Sequence, residues 1–166
     1  MSGAMQGASP GGPRCVFDTH VWLDLLVFDD APMRAAMSVW QSAGAITLIS
    51  PATVAELAHV LQHRPWPRAA WAERAHAAAD QLQRQPDALL GPQCGLPIAW
   101  GDDGWNGPLP RCRDASDQKF LALAAGGCAP WLLSRDRALL KCRRYRMADG
   151  GWGQVCTPLT APEALG

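Results

Sequence analysis

The stretch CVFDTHVWLDLLVF, residues 15–28, decides the fold class of this chain. Its first three residues are apolar and lead to Asp18, and the apolar residues that follow recur at the three- and four-residue spacing of an amphipathic helix. A strand that runs directly into a helix is the repeating unit of α/β proteins. The stretch therefore predicts one such unit, with Asp18 at the point where the strand ends and the helix begins.

Outward from this stretch, similar junctions recur along the chain. The predicted strand Ile46–Ile49 precedes a helix that contains Glu56, Asp117 opens a short helix, and the predicted strand Trp131–Ser134 precedes Asp136. A further edge strand is predicted at Val155–Pro158. The alternation of strands and helices predicts right-handed crossovers between parallel strands. We therefore expect an α/β fold with a central, mostly parallel sheet of four to five strands and helices on both faces.

Composition narrows the class of protein further. No uninterrupted apolar stretch reaches the roughly 18 residues that span a bilayer, so a soluble, cytoplasmic protein without membrane association is expected. Residues 1–14 are rich in Gly, Ser, Pro and Ala and are predicted to be a disordered tail, which leaves residues 15–166 as a single domain.

The net charge of zero argues against bulk electrostatic binding of nucleic acid. Six cysteines without a C-x-x-C pair predict buried thiols.

The four acids at the junctions, Asp18, Glu56, Asp117 and Asp136, are the candidate site. Because carboxyl ends of parallel strands share one edge of a sheet, these side chains are expected to converge. Two unit charges about 4 Å apart repel by about 4 kcal/mol at an effective dielectric near 20, so a divalent metal, protonation or basic partners must relieve the repulsion. All-oxygen ligands favour Mg²⁺ or Mn²⁺ over zinc. Taken singly, each acid has a second interpretation as a helix cap, including a Thr53–Glu56 capping box.

Several segments of the chain, in this order, resemble the motifs of the PIN domain: Val16–Thr19, Ile49–Pro51 with Glu56-Leu57, Asp114–Asp117 leading into Phe120–Ala124, and Leu132–Asp136 with Leu139-Leu140. They are similar in particular to toxin components of bacterial toxin–antitoxin pairs. The resemblance runs from about Cys15 to Leu165, with Cys156-Thr157-Pro158 as the final strand and turn. One departure is His20, where the family usually has Asn.

The resemblance implies a three-layer PIN-like fold and a Mg²⁺- or Mn²⁺-dependent ribonuclease that hydrolyses RNA phosphodiester bonds. The implied catalytic and metal-binding residues are Asp18, Glu56, Asp117 and Asp136, with Asp114 as a candidate fifth metal ligand. An antitoxin protein and a homodimer are further candidate partners beside RNA.

Other polar side chains near the acids are candidates for substrate binding. Thr19 and Ser134 are placed to hydrogen-bond a ligand carboxylate or a phosphate, or else local backbone. Arg135 and Arg137 begin a basic cluster that extends to Arg146, which either binds the phosphate backbone or forms a solvated surface.

The segment Gly91–Pro110, rich in Gly and Pro, predicts a long loop with a short strand around Ile98. Its Trp100 and Trp105 either stack on unpaired bases or pack the loop onto the core.

Two rival functions stay open at this point. One is a PIN-like fold that serves as a non-catalytic binding or scaffold module. The other is a small α/β phosphohydrolase or nucleotide-binding domain, against which the chain lacks a Gly-rich phosphate loop after a strand and the second Asp of a D-x-D signature.

Overall fold

The computed structural model describes residues 12–160, which form six strands and seven α-helices. The strands are β1 (Arg14–Phe17), β2 (Ile46–Ile49), β3 (Ile98–Trp100), β4 (Trp131–Leu133), β5 (Arg144–Arg146) and β6 (Trp152–Cys156). The helices are α1 (Thr19–Leu26), α2 (Ala31–Ser42), α3 (Pro51–His63), α4 (Ala69–Arg84), α5 (Pro86–Cys94), α6 (Gln118–Gly126) and α7 (Arg137–Leu140), and a 3₁₀ turn spans Ala115–Asp117. No helix in this range is long and apolar enough to cross a membrane.

The strands form one sheet in the order β3-β2-β1-β4-β6-β5, in which only the β5–β6 pairing is antiparallel. The predicted α/β class with a mostly parallel sheet is confirmed. The sheet has six strands rather than four to five, because Arg144–Arg146 adds an edge strand. In β5 a buried Tyr145 alternates with two exposed arginines, as expected of a half-buried strand. The last strand lies at Trp152–Cys156, between β4 and β5, and not at the edge at Val155–Pro158.

Helices cover both faces of the sheet. Neighbouring residues of each strand point to opposite faces, so each strand contributes apolar side chains to both packed layers. On one face Val16 and Leu132 pack against the apolar side chains of α6, which is buried along most of its length. On the other face Phe17 and Leu133 pack against the core formed with α1 to α5. The three layers hold the carboxyl ends of β1 and β4 side by side, since Phe17 is in register with Leu133.

The irregular segment predicted at residues 91–110 begins later in the structure than expected. Helix α5 continues to Cys94, the predicted strand is β3, and the irregular segment runs from residue 101 to residue 114. Trp105 in this segment lies against Gly126 of α6, where an added Cβ would come within 2.9 Å of the Trp105 Cβ. Trp105 therefore packs the loop onto the core, whereas Trp100 is exposed and its Nε1 donates to Asp87.

The start of α3 differs from the predicted Thr53–Glu56 capping box. The N-cap is Ser50, whose hydroxyl accepts from the Thr53 N–H, while the Thr53 hydroxyl accepts from the Ser50 N–H at 3.0 Å. Pro51 occupies the first helical position, where its missing N–H costs nothing. The helix thus begins earlier than the sequence suggested, and Glu56 lies in its second turn with a side chain that is not used for capping.

Candidate active site

The predicted acids line one pocket of about 170 Å³. Its lining residues are Asp18, Thr19, His20, Glu56, Val60, Asp114, Asp117 and Asp136. The pocket lies at the carboxyl edge of the sheet, because Asp18 follows β1 directly and the Ser134–Asp136 segment follows β4. The structure therefore brings together all five candidate metal ligands, from positions as far apart as 18 and 136.

Asp18 is the most firmly held of the acids and is only 2% exposed. It caps α1, since its Oδ1 accepts from the Val21 N–H at 3.0 Å, and its Oδ2 accepts from the Ser134 hydroxyl. Burial raises the pKa of Asp18, and the hydrogen bonds from Ser134 and Val21 oppose this rise. The side chain is thus fixed in one orientation at the base of the pocket.

Ser134 connects two of the acids. Its hydroxyl donates to Asp18 and accepts from the Asp136 N–H at 2.9 Å, so the fully buried hydroxyl ties the end of β4 to the start of α7. Asp136 caps α7, and its Oδ1 accepts from the N–H groups of Ala138 and Leu139. No group within residues 12–160 donates to its Oδ2, which leaves that oxygen available to a ligand.

Asp117 does not directly follow a strand, contrary to the predicted pattern of junctions, because the 101–114 loop separates it from β3. It ends the 3₁₀ turn and makes no capping hydrogen bond to α6. Burial, followed by the negative charges of Asp114, Asp136, Glu56 and Asp18, raises its pKa to about 6. The ionised form of Asp117 is therefore disfavoured both by burial and by the negative charges of the other acids.

Asp114 lies at the rim of the pocket and is exposed. Its Oδ1 accepts from the Ser116 hydroxyl at 2.7 Å and from the Ser116 N–H at 2.9 Å, and these bonds lower its pKa. The side chain has a clear structural role as the cap of the 3₁₀ turn.

Glu56 is engaged by two side chains from other elements. Its Oε1 accepts from the Lys119 ammonium at 2.6 Å, and its Oε2 accepts from the Thr19 hydroxyl. Lys119 also donates to the Ser116 carbonyl at 2.6 Å. The sequence analysis did not single out Lys119, although a lysine two residues after a candidate ligand is a signal that was present. It places a positive charge at the edge of the acidic pocket.

A second buried acid, Asp24, was also missed. It is 3% exposed on α1, and its Oδ1 accepts from the Arg135 guanidinium at 2.7 Å. Burial raises the pKa of Asp24 to about 6, and the positive charge of Arg135 opposes this effect. The Asp24 Oδ2 is buried without a hydrogen-bond partner among residues 12–160. A single Asp within the apolar stretch 21–28 was the signal that could have revealed it.

The predicted basic cluster does not act as one unit. Arg135 lies beside the acidic pocket in its ion pair with Asp24, and Arg137 is exposed in the first turn of α7. Arg144 and Arg146 lie on β5 instead. Of the predicted substrate-binding residues, Thr19 and Ser134 are thus bonded to acids of the pocket, whereas Arg135 and Arg137 lie at its border.

The donor chemistry of the pocket fits a hard divalent cation, since every candidate ligand is a carboxylate oxygen. The carboxylates of Asp117 and Asp136 keep oxygens that are free of hydrogen bonds from residues 12–160. Within that same range, no three His, Cys, Asp or Glu side chains are arranged so that together they could hold a metal ion. Filling the site would therefore require small side-chain movements, above all release of Glu56 from Lys119.

A family model of the PIN domain matches residues 14–138, which is 125 of the 166 residues and includes all five acids of the pocket. The chain belongs to the PIN domain family. Neither the curated proteins nor the solved structures contain a match to the chain. PIN domains are usually nucleases that act on nucleic acids with divalent metals, and the acidic pocket lies within the matched part of the chain. β5 and β6 follow the matched residues.

Proposed function

We propose that this PIN domain is a Mg²⁺- or Mn²⁺-dependent endoribonuclease that hydrolyses RNA phosphodiester bonds at the acidic pocket. The observation that carries the proposal is the convergence of five carboxylates on one pocket, where burial and then the negative charges of the other acids raise the pKa of Asp117 to about 6. A pocket that crowds negative charge in this way gains most from a multivalent cation. Asp18, Glu56, Asp117 and Asp136 are the proposed metal ligands and catalytic residues, with Asp114 as a fifth ligand at the rim.

When bound, the divalent ions would lower the pKa of an attacking water and stabilise the leaving oxygen. The chain's own residues prepare the site for this. Asp18 is held in one orientation at the pocket by Ser134 and by the Val21 N–H. Asp136 is held by its cap bonds through one oxygen and presents the other. Asp117, without a capping bond, is the most adjustable member of the set.

Lys119 is proposed to balance charge in the pocket. Its ammonium neutralises Glu56 and thereby reduces the repulsion among the acids. A divalent cation would compete with this ammonium for Glu56, because both bind the same carboxylate. Thr19, which donates to the other oxygen of Glu56, would keep the side chain oriented after Lys119 has left.

The choice of RNA over DNA, and the toxin role with an antitoxin partner, a homodimeric assembly and a cytoplasmic location, belong to the same proposal. They rest on the resemblance to toxin components of toxin–antitoxin pairs. Arg135 and Arg137 are the proposed contacts to the substrate backbone, since both are exposed, both adjoin Asp136 in the chain, and guanidinium groups bind phosphate well.

The proposal is tested with Asp117→Asn, which removes one charge from the pocket and keeps the shape of the side chain. Cleavage of end-labelled single-stranded RNA, of the same sequence as DNA, and of small phosphate esters is measured with Mn²⁺, with Mg²⁺ and with EDTA. We expect metal-dependent cleavage of RNA by the unmodified chain and a loss of at least about 100-fold in the variant, as for disrupted metal sites.

The matched control is Asp80→Asn, which makes the same chemical change in an exposed ion pair on α4 and should leave cleavage unchanged. Circular dichroism is used to check that both variants are folded. Undiminished RNA cleavage by Asp117→Asn would reject the proposed site, and cleavage of small esters alone would favour a phosphohydrolase.

The rival function, a non-catalytic PIN-like binding or scaffold module, is favoured by one observation. Glu56 is already paired with Lys119, and no three-ligand arrangement exists within residues 12–160. Calorimetric titration with Mn²⁺ separates the two functions, because the nuclease must bind the ion and a scaffold has no need of it. Absence of both Mn²⁺ binding and cleavage would establish the module instead.

A further inference from the structure

A second cluster of basic and aromatic side chains lies on β5 and β6, away from the acidic pocket. Trp152 is 52% exposed, and the guanidinium carbons of Arg144 and Arg146 lie 4.6 and 4.8 Å from the centre of its ring. Arg143, directly before β5, is also exposed. We call Arg143, Arg144, Arg146 and Trp152 the arginine–tryptophan platform.

The platform follows from the register of the last two strands. Arg146 pairs with Trp152 and Arg144 pairs with Gln154, so these four side chains share one face of the sheet. The alternate residues Tyr145 and Val155 face the core formed with α6. Of the residues of β5 and β6 on this face, only Cys156, at the carboxyl end of β6, packs against the core of α1 to α5. Among residues 12–160, no element covers the amino end of β6 on this side.

A cavity of about 580 Å³ adjoins the platform. Its lining residues are Pro130, Trp131, Arg143, Arg144, Trp152, Gly153 and Gln154. Arg143 adopts a φ of 60°, which is uncommon for a residue other than glycine, and its carbonyl accepts from the Val155 N–H at 2.7 Å. The tight turn thus places an arginine at the cavity wall at some conformational cost. The volume lies within the range typical of sites for small molecules and single nucleotides.

This cavity is distinct from the acidic pocket. Trp131 and Trp152 are the first residues of β4 and β6, at the amino edge of the sheet, whereas Ser134 and Asp136 follow the carboxyl end of β4. The three residues of β4, at about 3.3 Å each, separate the two sites by roughly 10 Å or more. None of the residues that line the cavity lines the acidic pocket.

The arginines of the platform carry uncompensated charge. Within residues 12–160, none of the three forms a salt bridge to a carboxylate, and Arg146 donates only to the Gly150 carbonyl at 3.0 Å. The nearby Asp149, in the turn between β5 and β6, accepts from the Gly151 N–H. Two guanidinium groups over one exposed indole, with Arg143 at the wall of the adjoining cavity, make a local site for a polyanion with flat groups in a chain whose total net charge is zero.

We propose that the arginine–tryptophan platform is a second binding site for single-stranded RNA, in which a base stacks on Trp152 and the arginines bind flanking phosphates. The choice of RNA as the ligand rests on the proposed function. The carboxylates of an acidic protein segment would satisfy the arginines, but they make no use of the exposed indole or of the adjoining cavity. Unpaired bases use both, since each base has a face that stacks on aromatic rings and on guanidinium planes.

The test is fluorescence anisotropy of a labelled single-stranded RNA of about twelve nucleotides, a length typical of such sites, in EDTA so that cleavage does not interfere. Trp152→Ala is expected to raise the Kd at least about fivefold, because one base loses its stacking partner, whereas Trp152→Phe should lose less. Arg144→Ala should reduce the slope of log K against log salt by about 0.7, the contribution of one phosphate contact on a single strand.

The matched control is Arg84→Ala, which makes the same charge change at an exposed position of α4 and should leave the salt slope unchanged. As a direct readout, RNA that contains 5-iodouridine is expected to crosslink under ultraviolet light to the peptide that contains Trp152. Trp152→Phe keeps an aromatic side chain on β6 and guards against loss of binding through misfolding.

Wild-type affinity in Trp152→Ala, or crosslinks confined to other peptides, would overturn the proposal. So would a competition in which polyglutamate displaces RNA at equal charge concentration, since the site would then be one for acidic protein segments. The outcome is independent of the nuclease proposal. RNA binding that requires Trp152, in a chain that never cleaves RNA, keeps the platform and rejects the nuclease, and cleavage with an unchanged Kd in Trp152→Ala does the reverse.

Discussion

Replacing Asp117 by Asn should stabilise the protein in the absence of metal, which is the opposite of what most substitutions do. Asp117 makes no capping hydrogen bond, and its burial together with the charges of four other acids raises its pKa from 3.8 to about 6. In the folded chain its ionised form is therefore less favourable than in the unfolded chain. Asn has nearly the same shape and no charge, so the substitution removes this penalty and leaves the pocket otherwise intact.

The size of the effect follows from the pKa. One pKa unit corresponds to about 1.36 kcal/mol, so the rise from 3.8 to about 6 corresponds to roughly 3 kcal/mol when Asp117 is ionised. The side chain is only partly buried, and screening by solvent reduces this value. We expect a gain of about 1 to 1.5 kcal/mol in the free energy of unfolding, which for a domain of this size raises Tm by about 3 to 5 °C.

The pH dependence has a definite sign. Because the pKa of Asp117 is higher in the folded state, the penalty is absent below pH 3.8, grows between pH 3.8 and about 6, and is complete above that range. The stability advantage of Asp117→Asn over the unmodified chain should therefore be complete at pH 8 and small near pH 4. Adding Mn²⁺ should reverse the order at pH 8, because a ligand at 100 times its Kd stabilises the chain that binds it by about 2.7 kcal/mol.

The assay is thermal and urea unfolding of both chains in EDTA at several pH values, followed by the same measurement with Mn²⁺. Asp80→Asn, in an exposed ion pair on α4, is the control and should show neither the gain nor the metal reversal. Lower stability of Asp117→Asn at pH 8 in EDTA, or an advantage that persists unchanged at pH 4, would refute the reasoning that burial and the neighbouring acids disfavour the ionised form of Asp117.

Two further predictions concern the residues that the sequence analysis missed. Lys119→Met should increase the affinity for Mn²⁺ about fivefold in calorimetric titration, because about 1 kcal/mol of competition for Glu56 is removed; weaker binding would show instead that Lys119 organises Glu56. Arg135→Ala should destabilise the chain by roughly 2 kcal/mol in urea unfolding, because the buried Asp24 loses its ion pair with Arg135. Adding Asp24→Asn to that variant should recover most of the loss, and failure to do so would mean that Arg135 acts through packing.

Much of the fold was predictable because local pattern and tertiary role agree in it. The stretch 15–28 has a buried strand, a capping Asp18 and a helix with an apolar face, and each of these forms at the predicted place. The sixth strand was not predictable in this way. Arg144–Arg146 contains one apolar residue between two charged ones, and only pairing with β6 and burial of Tyr145 make it a strand.

The candidate site shows the same division. Asp18 and Asp136 stand directly after apolar strands, and their place at the carboxyl edge follows from topology alone. Asp117 also lies in the pocket, as predicted, but no strand directly precedes it. A loop and a 3₁₀ turn place it there instead. The position of Lys119, two residues after a candidate ligand, was a signal in the sequence, but its pairing with Glu56 was not predictable because the ion pair joins α3 and α6, which are far apart in the chain.

The sequence by itself determined the α/β class, the order of its principal strands and helices, and the set of acids at one sheet edge, because hydrophobic periodicity and strand direction are encoded locally. Only the tertiary structure decided how each acid is held. Asp18 is bonded to Ser134 and Glu56 to Lys119, whereas no side chain among residues 12–160 donates a hydrogen bond to the Asp117 carboxylate. The tertiary structure also places the basic residues in two separate regions, with Arg135 after the carboxyl end of β4 and Arg144 and Arg146 on β5. Hydrogen bonds and charge interactions depend on distances between residues remote in the chain, and those distances exist only after the sheet has formed.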